Sequence, residues 1–228
     1  MNLPTYEWAT APPADGMLSG LTGQAPLPEL AEPTRFGPVS ADCDEPLVTV
    51  EHKRVFDLSC YERAGWPHTR PHLQLREGAA QRLYRVADRM PEPFGIAVFD
   101  AWRALELQQA IYEAAYADPH LPAGFVSHPN PDPANPPPHL TGGTVDLTLA
   151  WDGQALALGT SFDDFHEGAH AASLESEPGS ERELRRFLYW HMRAAGFVVL
   201  AQEWWHFEYG TQRWAAITDN EPIYAAAS

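Results

Sequence analysis

The chain has 228 residues, 44% of them hydrophobic and 11% aromatic, which suits one domain with a sizeable core and excludes bulk disorder. Its formal net charge of -16 argues against nucleic acid or an anionic membrane as partner, so a substrate carrying a carboxylate must meet a local cation inside its site. No apolar run approaches the ~20 residues that span a bilayer, and MNLPTYEWATAPPADG has neither a basic nor an apolar signal region, so a soluble, cytoplasmic protein is expected.

Residues 1–45 are rich in Pro, Gly and Ala (TAPPADG, APLPELAEPTRFGP) and read as an irregular arm, with residues 46–228 as the domain proper. Cys43 and Cys60 make no framework and are expected as free thiols. PLVTVEHKRVFDL (46–58) has β-branched residues in partial alternation and predicts a first strand. EGAAQRLYRVADRM (77–90) predicts a helix with Leu83, Val86, Ala87 and Met90 on one face, ended by Pro91 and Pro93.

GIAVFDAW (95–102) is the apolar run of a buried strand, and RALELQQAIYEAAYA (103–117) follows as a helix with Leu107, Ala110, Ile111 and Ala114 spaced three and four apart. A proline-dense loop, HPNPDPANPPPH (128–139), precedes the alternating strand GTVDLTLAW (143–151). SERELRRFLYWHMRAAG (180–196) is a helix with a capping box of Ser180 and Glu183 and a stop at Gly196. FVVLAQEWWHFEYG (197–210) predicts a strand that becomes irregular near Trp204. Strands and helices mix without a βαβ rhythm, so the fold class expected is α+β: a single domain with a central, largely antiparallel sheet and flanking helices.

Two short stretches carry chemistry. In HLTGGTVDLTL, His139 ends the proline loop and Gly142-Gly143 permits a sharp return into a strand. On that strand Val145, Leu147 and Leu149 share the core face, which turns Asp146 and Thr148 toward a cleft. In QEWWHFEYG, Glu203 precedes His206 by an odd separation, so a shared site needs either a bulge at Trp204-Trp205 or a helical turn there. Together the two stretches supply His, Asp, His and one further carboxylate, a donor set for zinc-assisted hydrolysis. His166 and His170 have helical i, i+4 spacing and form a rival metal pair, whereas His191 reads as helix packing.

FDAWRALELQ, HLTGGTVDLTL, LGTSFDDFHEGAH and GFVVLAQEWWHF, in this order and spacing, make the chain resemble the D-alanyl-D-alanine dipeptidases, the vancomycin-resistance type of zinc dipeptidase. The resemblance covers roughly residues 95–210 and implies one Zn2+ per chain held by His139, Asp146 and His206. It makes Glu203 the general base that takes the proton of the attacking water and passes it to the leaving amine. It gives Arg103 the scissile carbonyl, makes Asp100 its supporting partner, and sets Asp163 against the substrate ammonium. Two positions depart from the family pattern: Pro137 stands where a serine near the substrate amine is usual, and Ala104 follows Arg103 where proline is usual. The resemblance therefore implies cleavage of D-Ala-D-Ala or a related D-configured dipeptide. The alternatives are a zinc D,D-carboxypeptidase or endopeptidase acting on peptidoglycan peptides, and a non-catalytic zinc module, which the presence of Glu203 disfavours.

Overall fold

The computed structural model describes residue 21 and residues 23–121 and 124–228; the rest of the expected arm, residues 1–20 and 22, lies outside them. The described chain runs β1 (Leu47–Thr49), β2 (Val55–Asp57), α1 (Cys60–Arg63), β3 (Gln74–Arg76), α2 (Glu77–Arg89), β4 (Phe94–Asp100), α3 (Leu105–Ala115), β5 (Thr144–Trp151) and β6 (Gln154–Ala155). It continues through α4 (Ser180–Ala194), β7 (Val198–Val199), β8 (His206–Glu208) and α5 (Gln212–Thr218). The fold is α+β.

The apolar runs of β4 and β5 become the centre of a sheet in the order β2-β4-β5-β8-β7, with β6 hung on β5. Only the β2–β4 pair is parallel; the other pairs are antiparallel. Strict alternation sorts β5 into two faces. Val145, Leu147 and Leu149 have no exposed surface and join the main core with Ile96 and Val98. That core is closed by the apolar stripes of α2 (Leu83, Val86, Ala87) and α4 (Leu184, Phe187, Leu188, Met192).

Four local expectations need correction. Residues 46–58 are not one strand: Val55 N bonds His52 O at 3.0 Å, and this tight turn sends β1 to pair with β3 while β2 joins the main sheet. The capping box of α4 does not form. Gly179 is the N-cap, Ser180 Oγ turns to Glu181, and Glu183 is drawn instead to Arg182 and Arg186. Residues 197–210 form a hairpin, β7 paired with β8, and the irregular part is its turn. Arg103 also lies ahead of its helix, because α3 begins at Leu105.

Residues 24–45 carry no helix or strand, yet they are tied along the surface. Trp190 Nε1 donates to Ala25 O at 2.7 Å, Arg76 pairs with Asp42 at 3.0 Å, and Glu45 accepts from Tyr224 Oη and Gly78 N, both at 2.8 Å. No disulfide joins Cys43, which is exposed, to Cys60, which is buried. No helix of the described residues is long and apolar enough to cross a membrane.

Candidate metal centre

The sheet register brings the chemistry together. Asp146 of β5 stands opposite Asp100 of β4 on one side and His206 of β8 on the other, so three adjacent strands deliver one row of side chains. Asp100 joins that row because of a bulge: Val98 pairs with Leu147, but Asp100, not Phe99, pairs with Asp146. The extra residue reverses the parity of the strand, moving Asp100 off the core face and onto the face of Asp146. His139 arrives from a 3-10 turn, Pro138–Thr141, that ends at Gly142 with φ +73°. A side chain at Gly143 would meet Tyr209 O at 2.2 Å, so only glycine lets β5 start this close to the β8 backbone.

The tautomers are set by the neighbours of each ring. His139 Nδ1 lies 2.6 Å from the Ala101 carbonyl, so it carries the proton and Nε2 faces inward, 3.2 Å from Asp146 Oδ2. His206 Nε2 donates to Glu208 Oε1 at 3.0 Å, which leaves Nδ1 facing inward, 3.0 Å from Asp146 Oδ1. All three residues are buried, and their ligand atoms lie within 4.8 Å of one another. Asp146 Oδ1 is buried without an aligned hydrogen bond, although an imidazole nitrogen is beside it. Two imidazole nitrogens and a carboxylate converging on one point, with such an orphaned oxygen, fit a divalent ion. Burial pushes the Asp146 carboxyl up, but the two imidazoles outweigh it and hold Asp146 well below the usual carboxylate range.

Glu203 sits in the turn between β7 and β8, its Oε2 3.5 Å from His206 Nδ1. Neither a regular strand nor an extended helix is needed, because Glu203 N bonds Leu200 O at 3.1 Å and His206 N returns to Glu203 O at 3.4 Å. The turn is anchored by Trp205, which is fully buried, and by Trp204, whose Nε1 donates to Thr160 Oγ1 at 2.8 Å. Burial, reinforced by Asp146 and Asp163, pushes the Glu203 carboxyl up to about 8 against the pull of His206 and Arg103.

Arg103 is buried and fully engaged. Nε pairs with Asp100 at 2.5 Å, Nη1 bonds Gln108 at 3.1 Å, and Nη2 lies 3.2 Å from Asp146 and 3.4 Å from Tyr61 Oη. Tyr61 Oη in turn donates to Asp163 Oδ2 at 2.7 Å, and burial raises the Asp163 carboxyl to about 7 despite Arg103 and that hydrogen bond. Asp163, Arg103, Glu203 and the triad line one narrow cavity of about 50 Å³. It shares Ser127, Pro138 and Arg213 with an outer cleft of about 690 Å³, whose wall includes Pro136 and Pro137.

All seven residues singled out in the sequence thus gather around one cavity or directly behind it. The rival pair does not: His166 is exposed, accepts from Gly168 N and pairs with Asp164, and the described residues form no metal-ligating group there. Tyr61, Gln108, Glu208 and Arg213 were not anticipated. Glu208 was within reach of the alternation rule, since it shares a strand face with His206 two residues earlier; Tyr61 had no local signal.

Residues 84–224 match the peptidase M15 family, described as D-ala-D-ala dipeptidase. A D-alanyl-D-alanine dipeptidase of Synechocystis sp. is 30% identical over 212 residues, covering 76% of this chain and 85% of that one. One of Escherichia coli is 32% identical over 114 residues, covering 50% of this chain and 54% of that one. A crystal structure of the vancomycin-resistance D,D-dipeptidase VanXYg, in complex with a D-Ala-D-Ala phosphinate analog, has a TM-score of 0.40 at 19% identity, over 74% of this chain and 60% of that one. The chain belongs to the D-Ala-D-Ala dipeptidase family of metallopeptidases, peptidase M15.

Proposed function

We propose that this chain is a zinc-dependent dipeptidase that hydrolyses D-Ala-D-Ala or a closely related D-configured dipeptide. One observation carries the reading: a buried His-Asp-His cluster with an orphaned carboxylate oxygen has a buried glutamate 3.5 Å from one of its imidazoles. His139 Nε2, Asp146 and His206 Nδ1 would hold the ion, and three protein ligands leave positions open for water and substrate. When bound, zinc supplies Lewis acidity that polarises the scissile carbonyl and acidifies a water.

The protein's own groups do the rest. Glu203 takes the proton of the attacking water and hands it to the leaving amine. Burial holds its carboxyl at about 8 in the metal-free site even against His206 and Arg103, and a divalent ion bound at the triad would favour the carboxylate form that a base requires. Arg103, fixed by Asp100 and Gln108, keeps its positive charge beside the cavity and stabilises the oxyanion as it develops. Asp163, steadied by Tyr61, receives the substrate ammonium. A carboxylate in a narrow cavity beside the metal ligands favours a short substrate with a free ammonium, and D-Ala-D-Ala is such a substrate.

The test is metal content. Wild-type protein should carry about one zinc per chain after loading, and His206→Ala should lose most of it. Unchanged stoichiometry in that variant would remove His206 from the ligand set. A second reading, a D,D-carboxypeptidase acting on peptidoglycan peptides, draws on the outer cleft of about 690 Å³ that adjoins the cavity, where Pro137 adds neither hydroxyl nor N–H. Faster cleavage of an N-acylated peptide ending in D-Ala-D-Ala than of the free dipeptide would favour it.

A further inference from the structure

Among its described residues, the irregular arm reaches toward the metal centre through Glu32. Glu32 pairs through Oε2 with Nη1 of Arg213, and its Oε1 accepts from Ala201 N at 2.7 Å. Arg213 Nε donates to Glu208 Oε1 at 2.8 Å, and that same oxygen accepts from His206 Nε2 at 3.0 Å. Imidazole, carboxylate, guanidinium and carboxylate therefore alternate in an unbroken line from the β8 strand out to the arm. Glu208 has no exposed surface and the Arg213 side chain is only 16% exposed, so both charges depend largely on their protein partners. The arm holds Arg213 from a second side as well, with the Phe36 ring 5.4 Å from the guanidinium carbon.

We propose that Glu32 is a positioning residue for the metal centre, acting on His206 through Arg213 and Glu208. The inference rests on His206 being a metal ligand. A carboxylate that accepts from the far nitrogen of a ligating imidazole fixes its orientation and strengthens its donation to the metal. Glu208 does this for His206, and Thr211 Oγ1 also donates to it. With Glu32 in place, Arg213 divides its charge between two carboxylates, and Glu208 stays a strong acceptor for the imidazole. Without Glu32 the guanidinium is left to Glu208 alone, which weakens the hold of Glu208 on His206 Nε2. The bond to Ala201 N adds a second effect, because Ala201 lies in the turn that carries Glu203. Glu32→Gln separates the two: it keeps an oxygen for Ala201 N but removes the charge that Arg213 feels.

The experiment measures zinc affinity of the full chain by competition with a chromophoric chelator, alongside the melting temperature of the metal-free protein. The variants are Glu32→Gln, Arg213→Gln, the two combined, and His206→Ala. Glu32→Gln is expected to weaken zinc binding by about three- to tenfold, below the effect of losing a direct partner of the ligand. The metal-free melting temperature should stay within about 2 °C of wild type, less than about 1 kcal/mol produces in a domain of this size. In the Arg213→Gln background, Glu32→Gln should add nothing, since the relay is already cut. Wild-type zinc affinity in Glu32→Gln, or an equal loss with and without Arg213, overturns the proposal. His206→Ala keeps the two failures apart: if it binds zinc like wild type, the ligand reading itself falls and takes this proposal with it.

Discussion

Gly143→Ala tests whether the backbone geometry at the start of β5 is as tight as it must be to set Asp146 against His206. The added methyl would sit 2.2 Å from Tyr209 O and 2.7 Å from the Tyr224 ring, so it cannot be relieved by rotating a flexible side chain. Relief requires the β5 and β8 backbones to part by about 1.2–1.8 Å, the difference between that approach and ordinary van der Waals contact. The hydrogen bond from Tyr209 N to Gly143 O, 2.8 Å long, is strained in the same movement. Overpacking of this kind costs about 1–3 kcal/mol, and a weakened backbone bond adds about 0.5–1.5 kcal/mol. The sum, about 1.5–4.5 kcal/mol, corresponds to a fall in melting temperature of about 3–18 °C for a domain of this size. Because Asp146↔His206 lies only a few residues along the same strand pair, zinc affinity should fall too. Thermal unfolding by circular dichroism, with and without zinc, measures both effects. A metal-free melting temperature within about 2 °C of wild type would show that the strands are not held as closely as described.

Two further substitutions probe the chemistry directly. Glu203→Gln should lower turnover by about 10²- to 10⁴-fold, the range for loss of a general base, while bound zinc stays at the wild-type stoichiometry; near-normal turnover would dismiss Glu203 from that role. Asp163 has a carboxyl raised to about 7 and must be ionised to meet an ammonium, so kcat/KM should fall as pH drops through about that value. Asp163→Asn should lower kcat/KM by about 10- to 100-fold, the worth of one hydrogen bond to a charged group, and should abolish this acid limb. A limb that persists in the variant belongs to another residue.

What could be seen in the sequence was governed by how local each signal is. The candidate metal ligands lie in two short stretches whose alternation and glycines already orient them, so His139, Asp146 and His206 could be brought together from the sequence alone. The α2 helix was equally legible, because Leu83, Val86 and Ala87 repeat at helical spacing. The failures share a cause: a tight turn or a competing partner overrode the local pattern. The turn at His52 divides an apparently continuous strand between two sheets. Arg182 and Arg186 draw Glu183 away from a cap that its spacing from Ser180 had suggested. The bulge at Phe99 was invisible to a period-2 reading, yet it alone brings Asp100 behind Arg103 and His139. Tyr61 bonds Asp163 from 102 residues away and Glu32 pairs with Arg213 across nearly the whole described chain, and no spacing rule reaches that far.

The most direct test of the central claim is the release of free D-alanine from D-Ala-D-Ala by zinc-loaded protein, compared with the same protein after chelation and again after zinc is restored. The account predicts release with zinc, none after chelation, and recovery on reloading. A protein that holds one zinc per chain and still leaves D-Ala-D-Ala intact would contradict it.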